Sequence, residues 1–379
     1  RNAAEYVATA KSLGIYCNNG GFNTDNYKVI TRTGMVNNHY LAFSGGTPQS
    51  NYRASFGVMD HNTIIKKMDY NVFVAKVDVT QKAFNDRLTG EFGVFGSSFK
   101  NHDIFDTQML FYSAACQNPT FPAGTDEHGN WLKNESATHV NPPGILLEEK
   151  NDSKDLNFDA HIKLSYDFNK NWRVSTFGSY LYGSTENGQF CPTWVWAQGN
   201  VYRGEFKKEE WLGNVSLDFN KEFGIHKVSA GVSSEYRKLR KTAFWVYAKG
   251  IPTNDFHYDN LGATAARPYG GTESTYEDQS LASVMGSITY NLLDRYTLAV
   301  NARGDGSSMV GDNNTWGFFP SVSFTWDMKK ESFLANIKPL SMLKLRTGLG
   351  QAGNLGGISA YTTMNTVRQT GIVPVKSSP

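Results

Sequence analysis

The sequence contains no uninterrupted apolar run of about 18 residues, the length that a helix needs to cross a bilayer. A transmembrane helix is therefore excluded. The mean hydropathy of −0.44, with 40% hydrophobic residues, would by itself favour a soluble protein. A membrane β-barrel stays compatible with these values, because strands that alternate apolar and polar residues have a low average hydropathy.

Cysteine is scarce. Cys17, Cys116 and Cys191 stand far apart, without disulfide or metal-ligand spacing. Incidental cysteines are favoured, with one bridge between two loops as the alternative. The net charge of +2 gives no reason to expect a nucleic-acid partner. The sequence also lacks a glycine-rich phosphate loop and a nucleophile elbow. We expect no enzymatic activity, no cofactor and no metal site.

Strict alternation is the main feature that is present. From Leu156 to Phe168 every second residue is apolar, while the intervening residues, such as Asp159 and Lys163, are polar. A period of two indicates a β-strand, and this one exceeds the usual length of about 5–6 residues. An apolar face opposite a charged face suits a strand between lipid and water.

The same pattern recurs along the chain and predicts twelve strands, after a short helix over residues 2–13 that Asn2 would cap. The predicted strands are 39–46, 51–59, 70–80, 86–98, 156–168, 171–183, 209–220, 225–246, 279–291, 294–304, 315–327 and 341–351. Short connections alternate with long ones, the longest being 99–155, 184–208 and 247–278. Outer-membrane barrels have this asymmetry, with short turns at one end and long loops at the other.

Aromatic residues cluster beside the short turns and predict a membrane-interface girdle. They are Tyr166, Phe168, Trp172, Phe219, Tyr290, Tyr296, Phe324 and Trp326. The alternative is the core of an ordinary β-sandwich.

Charged residues on the polar faces are the best functional candidates, since in a barrel they would face the lumen, contacting water or a plug. The predicted lumen-facing set is Lys76, Asp78, Glu91, Asp159, His161, Lys163, Arg173, Lys227, Glu235, Arg237, Arg303, Lys344 and Arg346. The alternative is the solvated face of a soluble sheet.

Several motifs resemble those of SusC/RagA-type TonB-dependent transporters. The segments at 32–39, 45–55 and 118–129 are similar to early barrel segments and a loop of that family. The most specific are RGDGSS at 303–308, NNTWGFFPS at 313–321, LKLR at 343–346 and GQAGN at 350–354. Their order and spacing both match, and the similarity spans almost the whole chain.

The resemblance implies an all-β, antiparallel transmembrane barrel segment, about 12 strands of a 22-stranded barrel, with long extracellular loops. Residues 1–38 would form the first outer loop and residues 39–379 a barrel segment incomplete at both ends, without the plug. The whole protein would lie in the outer membrane of a Gram-negative cell and import an oligosaccharide or peptide. TonB would act through the missing N-terminal region, and a SusD-like lipoprotein would contact the 2–13 helix and loop 99–155.

Other interpretations stay open at this point. A passive diffusion porin is the first alternative function, and a secreted β-rich carbohydrate-active enzyme is the second. The loop aromatics Trp131, Trp194 and Trp196, together with Trp245, could stack on substrate sugars, although mutual anchoring of loops is favoured.

Four minor features of the sequence are not assigned a function. The tripeptide 303–305 spells an adhesion motif, but a bend at the barrel rim is favoured. Asp305 with residues 312–314 could bind calcium, although the spacing does not fit an EF-hand. The sequons at Asn134 and Asn214 are interpreted as chance occurrences, and the histidines of loop 99–155 as ordinary loop residues, with metal binding as the alternative.

Overall fold

One antiparallel sheet dominates the computed structural model, which describes residues 2–132, 140–268, 270–311 and 315–363. Its twelve strands follow one another in chain order, and each pairs with its sequence neighbours. They are β1 (Met35–Gly46), β2 (Ser50–Asn62), β3 (Asp69–Ala83), β4 (Leu88–Asp103), β5 (Lys150–Asp167), β6 (Trp172–Cys191), β7 (Asn200–Phe223), β8 (His226–Lys249), β9 (Thr272–Leu292), β10 (Tyr296–Ser307), β11 (Trp316–Asp327) and β12 (Lys344–Gly350). The predicted all-β class and the number of strands are confirmed.

The sheet is open. β1 and β12 are its two edge strands, and within the described ranges neither pairs with a further strand on its outer side. The two edges therefore do not close on each other into a twelve-stranded cylinder.

The expected loop 184–208 is wrong. β6 continues to Cys191 and β7 starts at Asn200, so the connection comprises only residues 192–199. The apolar face of β7 ends at Trp211, and the corresponding positions nearer the strand start are Glu205, Lys207 and Glu209. Without apolar alternation this half of the strand resembles a loop in sequence, although its backbone is fully paired with β6 and β8.

The connection between β11 and β12 departs from the expected alternation of loop lengths. It runs over residues 328–343 and lies at the end of the sheet where the other connections are tight turns. It contains a 3-10 turn at Met328–Lys330 and helix α5 at Ser332–Ala335. Glu331 fixes it to the sheet, because its carboxylate accepts hydrogen bonds from Tyr296, Trp326 at 3.0 Å and Arg295 at 3.2 Å.

Helices lie in the connections at the opposite end. Helix α1 (Ala3–Ser12) confirms the predicted helix, and its Glu5 amide donates to the Asn2 side chain at 2.9 Å. Helices α2 (Asn26–Ile30), α3 (Thr107–Cys116) and α4 (Pro142–Glu148) were not expected. Among the helices that the structure describes, none is long and apolar enough to pass through a bilayer.

Helices α2, α3 and α4 and the loops around them form a unit that we call the cap. The cap encloses a small hydrophobic core, the cap core. Its fully buried members come from the N-terminal segment, the β2–β3 connection and the long β4–β5 connection, and are Ile30, Ile65, Ile104, Leu110, Ala114, Ile145 and Leu146. Trp194 and Val195 of the β6–β7 connection pack against it. The N-terminal segment and three connections that are remote in sequence therefore form one packed unit.

Some sequence expectations lie outside the described residues. These are the sequon at Asn134, the loop histidine His139 and the candidate calcium ligands 312–314. The three cysteines are described, and all are free thiols.

Candidate functional site

The pairing register divides the sheet into two chemically different faces. The apolar face carries Phe73, Leu164, Val300 and Leu345, whose exposed fractions are 47%, 36%, 47% and 50%. Residues opposite one another across antiparallel strands share a face, so the register assigns Leu217, Val232 and the other large apolar side chains of the strands to it. These side chains form no interior core. A soluble sandwich buries such a face, so the sandwich-core alternative is not what the chain adopts.

All thirteen charged residues of the predicted lumen-facing set fall on the opposite, polar face. In the register Asp78 lies opposite Gly93, Glu91 opposite Lys163 and Asp159 opposite Leu181. Residues opposite one another share a face, and following these pairs from strand to strand as far as β12 keeps the whole set on one face. The set comprises Lys76, Asp78, Glu91, Asp159, His161, Lys163, Arg173, Lys227, Glu235, Arg237, Arg303, Lys344 and Arg346. The sharing of one face is a geometric fact, whereas the facing of a lumen stays a prediction.

Pairs of oppositely charged side chains lie across the polar face. Arg237 holds Glu210 by two bonds of 2.8 and 3.0 Å, and Lys208 approaches the same carboxylate at 3.2 Å. Arg173 holds Asp167 in the same forked way, at 2.7 and 2.9 Å. Such two-point pairs fix the orientation of the planar guanidinium group.

Further pairs extend this pattern over the whole sheet. They are Lys76–Asp78 at 3.0 Å, Lys163–Glu91 at 3.6 Å, His161–Asp159 at 3.4 Å, Lys227–Asp294 at 2.8 Å and Lys344–Asp327 at 3.6 Å. Exposed pairs of this kind contribute about 0–1 kcal/mol each to stability. Their main consequence is a hydrated surface of nearly balanced charge.

The RGD tripeptide forms part of this surface. Arg303 donates to Asp305 at 2.7 and 2.8 Å and to the Ser283 hydroxyl at 2.9 Å, and Glu235 lies 4.0 Å away. Both charged side chains of the tripeptide bond to groups on the polar face, which agrees with the structural interpretation. Within the described part of the chain, no group of three or more His, Cys, Asp or Glu side chains could hold a metal ion.

Aromatic residues border the apolar face at two levels. At the short-turn end, Trp172 and Phe219 lie 4.7 Å apart between ring centres, and Tyr166 contacts Phe168 at 5.2 Å. At the other end, Tyr180 and Trp211 lie 4.3 Å apart. This second aromatic level was missed in the sequence, because the strands continue past it without an apolar face.

The distance between the two levels matches the height of a membrane band. On β7 the apolar face extends from Phe219 to Trp211, nine residues that span about 27 Å along the strand. At the tilt of about 35–45° that barrel strands have, this length corresponds to a height of about 20 Å, close to the apolar band of about 25 Å in outer-membrane barrels. Beyond Trp211 both faces are charged, as expected for strands that project into water.

Two of the three loop tryptophans, Trp131 and Trp194, are held by one carboxylate of α4. The indole N–H groups of Trp131 and Trp194 both donate to the Glu148 carboxylate, at 2.6 Å for Trp194. The two rings are 6.2 Å apart and cover Gly144 of α4, where a Cβ would lie 2.5 Å from Trp194. Trp196 is 50% exposed. Anchoring accounts for the first two, and substrate contact by Trp131, Trp194 or Trp196 stays a prediction.

A buried carboxyl group lies under the same helices. Glu149 is 4% exposed and accepts hydrogen bonds from the Asp106 amide at 3.0 Å and from the Cys191 thiol at 3.6 Å. Burial raises its pKa to about 7, with a smaller contribution from the negative charge of Asp106. Nothing in the local sequence marks Glu149 as buried, because its partners Asp106 and Cys191 are remote in sequence.

The chain is similar to known outer-membrane receptors. It is 29% identical to TonB-dependent receptor P3 of Formosa agariphila, over 91% of this chain and 35% of that protein. It is 28% identical to TonB-dependent receptor SusC of Bacteroides thetaiotaomicron, over 92% of this chain and 37% of that protein. The chain thus spans little more than a third of the length of these relatives.

The fold is also similar to that of a solved transporter. The structure of the RagAB peptide transporter superposes with a TM-score of 0.71 at 15% identity, over 86% of this chain and 38% of that chain. The family model of the TonB-dependent receptor-like β-barrel matches residues 101–374. Together with the two-faced sheet and its aromatic borders, this match shows that the chain belongs to the TonB-dependent receptor β-barrel family.

Proposed function

We propose that this chain forms part of the wall of a TonB-dependent transporter that imports a bulky nutrient, an oligosaccharide or a peptide, across the outer membrane of a Gram-negative cell. The observation that carries the proposal is the sheet with one continuous exposed apolar face and an opposite face of mixed ion pairs. Lipid would cover the first face and a water-filled lumen the second.

Lipid contact follows from the cost of the alternative. An apolar surface far larger than a few hundred Å² is rarely left in contact with water. The apolar face extends over all twelve strands, between two aromatic levels that suit the two bilayer interfaces. We infer that the sheet lies in the outer membrane with the tight turns on the periplasmic side.

The polar face would line the lumen and contact the plug. Its charges are paired with one another, as in Arg237–Glu210 and Arg303–Asp305, so a plug could pack against it through water without leaving a buried charge uncompensated. The edges of β1 and β12, which have no outer partner among the described residues, would not be tolerated unpaired in a membrane. We infer that further barrel strands of the whole protein complete the wall at both edges.

The cap is the best candidate surface for a SusD-like lipoprotein. It lies at the long-loop end, and several apolar side chains around it are exposed, including Ile15 at 60%, Tyr16 at 87% and Tyr112 at 52%. The similarity to SusC and to the RagAB transporter is the reason for proposing this class of partner. TonB would act on the N-terminal region of the whole protein, and the plug would move at the expense of the proton gradient.

The proposal is tested by uptake in cells that carry the full-length protein. Radiolabelled oligosaccharides and peptides are supplied to strains with and without the gene, and with and without functional TonB. Import that requires both would support the proposal. Import that persists without TonB would indicate a passive porin, and release of hydrolysed sugar by the purified protein would indicate an enzyme.

A further inference from the structure

The polar face bears an aromatic pair above the membrane band, at the outer ends of β7 and β8. Phe206 and Trp245 are stacked, with ring centres 6.2 Å apart and an angle of 15° between the ring planes. Gly204 lies directly opposite Trp245 in the register, and the Tyr202 ring occupies the space beside this glycine. Phe206 precedes Trp211 by five residues, which places the pair about 17 Å beyond the end of the apolar band along the strand.

The pair borders a cavity of about 600 Å³, a size in the usual range for small-ligand sites. Charged groups stand beside it on the same face, and both lysines among them contact carboxylates. Lys241 pairs with Glu277 at 3.2 Å, and Lys208 pairs with Glu210 at 3.2 Å. The cavity thus combines a flat apolar wall with paired ammonium and carboxylate groups.

This combination matches the chemistry of a sugar ring. A pyranose has an apolar C–H face that can lie flat on an aromatic wall, and hydroxyl groups at its rim that can bond to carboxylates and ammonium groups. Because each lysine of the lining already has a carboxylate partner, the site favours neutral sugars over anionic ones.

A peptide is the less suitable ligand here. Peptides commonly bind a sheet by adding a strand to a free edge, where main-chain hydrogen bonds provide much of the affinity. β7 pairs with β6 and β8 along this region, and β8 also pairs with β9, so their main-chain groups are already bonded. Only side chains are available for recognition.

We propose that Phe206 and Trp245 form a stacking subsite for a neutral oligosaccharide at the outer mouth of the lumen. This inference rests on the proposed function, since it assumes that the polar face is accessible to substrate. The oligosaccharide would bind to this subsite before it passes through the barrel.

The test is direct binding to the purified full-length protein in detergent, measured by titration calorimetry. The probes are maltoheptaose, cellohexaose and xylohexaose, with deca-alanine as the peptide. The variants are Phe206→Leu and Trp245→Leu, which remove a flat ring but keep an apolar side chain, and Trp245→Phe, which keeps a ring. Phe244→Leu is the matched control, because Phe244 is the sequence neighbour of Trp245 on the opposite face and is 52% exposed.

We expect at least one of the sugars to bind the wild-type protein. Its Kd should rise at least ten-fold in Phe206→Leu and Trp245→Leu, less than three-fold in Trp245→Phe, and not at all in Phe244→Leu. The proposal is overturned if none of the three sugars binds, if Trp245→Leu binds like Phe244→Leu, or if only the peptide depends on Trp245.

Binding to purified protein requires neither TonB nor a proton gradient, so the two proposals fail separately. Sugar binding that depends on Trp245 without uptake in cells would refute the transport proposal alone. TonB-dependent uptake with unchanged binding in Trp245→Leu would refute the subsite alone.

Discussion

Trp194 donates its indole N–H to the Glu148 carboxylate at 2.6 Å, across 46 residues of sequence. The same carboxylate accepts the indole N–H of Trp131, so one acidic side chain connects α4 with two other segments of the cap. The helix that bears Glu148 also supplies Ile145 and Leu146 to the cap core. Glu148 is therefore expected to determine whether this unit stays assembled.

Replacing Glu148 with alanine should loosen the cap. Both indole N–H groups would lose their acceptor, and an unsatisfied part-buried donor costs about 1–3 kcal/mol. Hydrogen exchange of the α3 and α4 amides should accelerate accordingly, with strand amides unaffected. Glu127→Ala is the control, because the Glu127 side chain lies in the same connection and is 87% exposed. Equal exchange rates in the two variants would contradict this role.

Gly144→Ala should destabilise the cap, although helix propensity alone predicts a gain of about 1 kcal/mol for this exchange in α4. The added Cβ would lie 2.5 Å from Trp194 and 2.8 Å from Trp131, so both rings must move. Overpacking of this kind typically costs about 1–3 kcal/mol. Gly124→Ala meets no atom within 4 Å and serves as the control. Slower exchange of the α4 amides in Gly144→Ala than in wild type would contradict the prediction.

The stability of the cap should depend on pH through Glu149. Burial raises its pKa from 4.5 to about 7, so the folded cap binds a proton that the opened cap releases between these values. The free energy of opening should therefore fall as pH rises from about 4.5 to about 7, by about 3 kcal/mol at most, and level off above.

Glu149→Gln should remove this dependence and keep the oxygen that accepts the Asp106 amide. The check is hydrogen exchange of the α3 amides from pH 4.5 to 8, corrected for intrinsic rates. A profile of the same slope in both proteins would assign the effect to another group.

The strands could be predicted from the sequence where their two faces differ, and not elsewhere. From Trp211 to Phe219 the alternation on β7 is the pattern expected for lipid on one side and water on the other. From Asn200 to Glu210 water is expected on both sides, so the alternation disappears while the backbone pairing continues. The predicted loop 184–208 was wrong for this reason.

The polar-face residues could be predicted one by one, because period-two parity fixes the face of each side chain. Their partners across strands, such as Arg237 with Glu210, require the register, which the sequence does not state. The cap helices were missed because they are short and are held together by contacts among remote loops, such as Ile30 with Leu110.

A charge on the apolar face should be far more harmful than the same charge on the polar face. Val215 lies midway along the apolar part of β7 and is 53% exposed, and its neighbour Asn214 lies on the polar face. Val215→Arg should lower the free energy of unfolding in bilayers by about 2–4 kcal/mol, because an arginine near the bilayer centre must leave water. Asn214→Arg should change it by less than about 1 kcal/mol, as judged from denaturant titrations of the full-length protein. Equal effects would contradict the assignment of the faces.

The most direct test is the accessibility of each position along β7 in a bilayer. Single cysteines are introduced at 211–219 in a full-length protein without its natural cysteines, spin-labelled, and exposed to lipid-soluble oxygen or to a water-soluble nickel chelate. We expect spin labels at odd positions to be accessible to oxygen and those at even positions to the chelate, in unbroken alternation. Odd positions shielded from both reagents, or a preference without a period of two, would contradict the placement of the sheet between lipid and lumen.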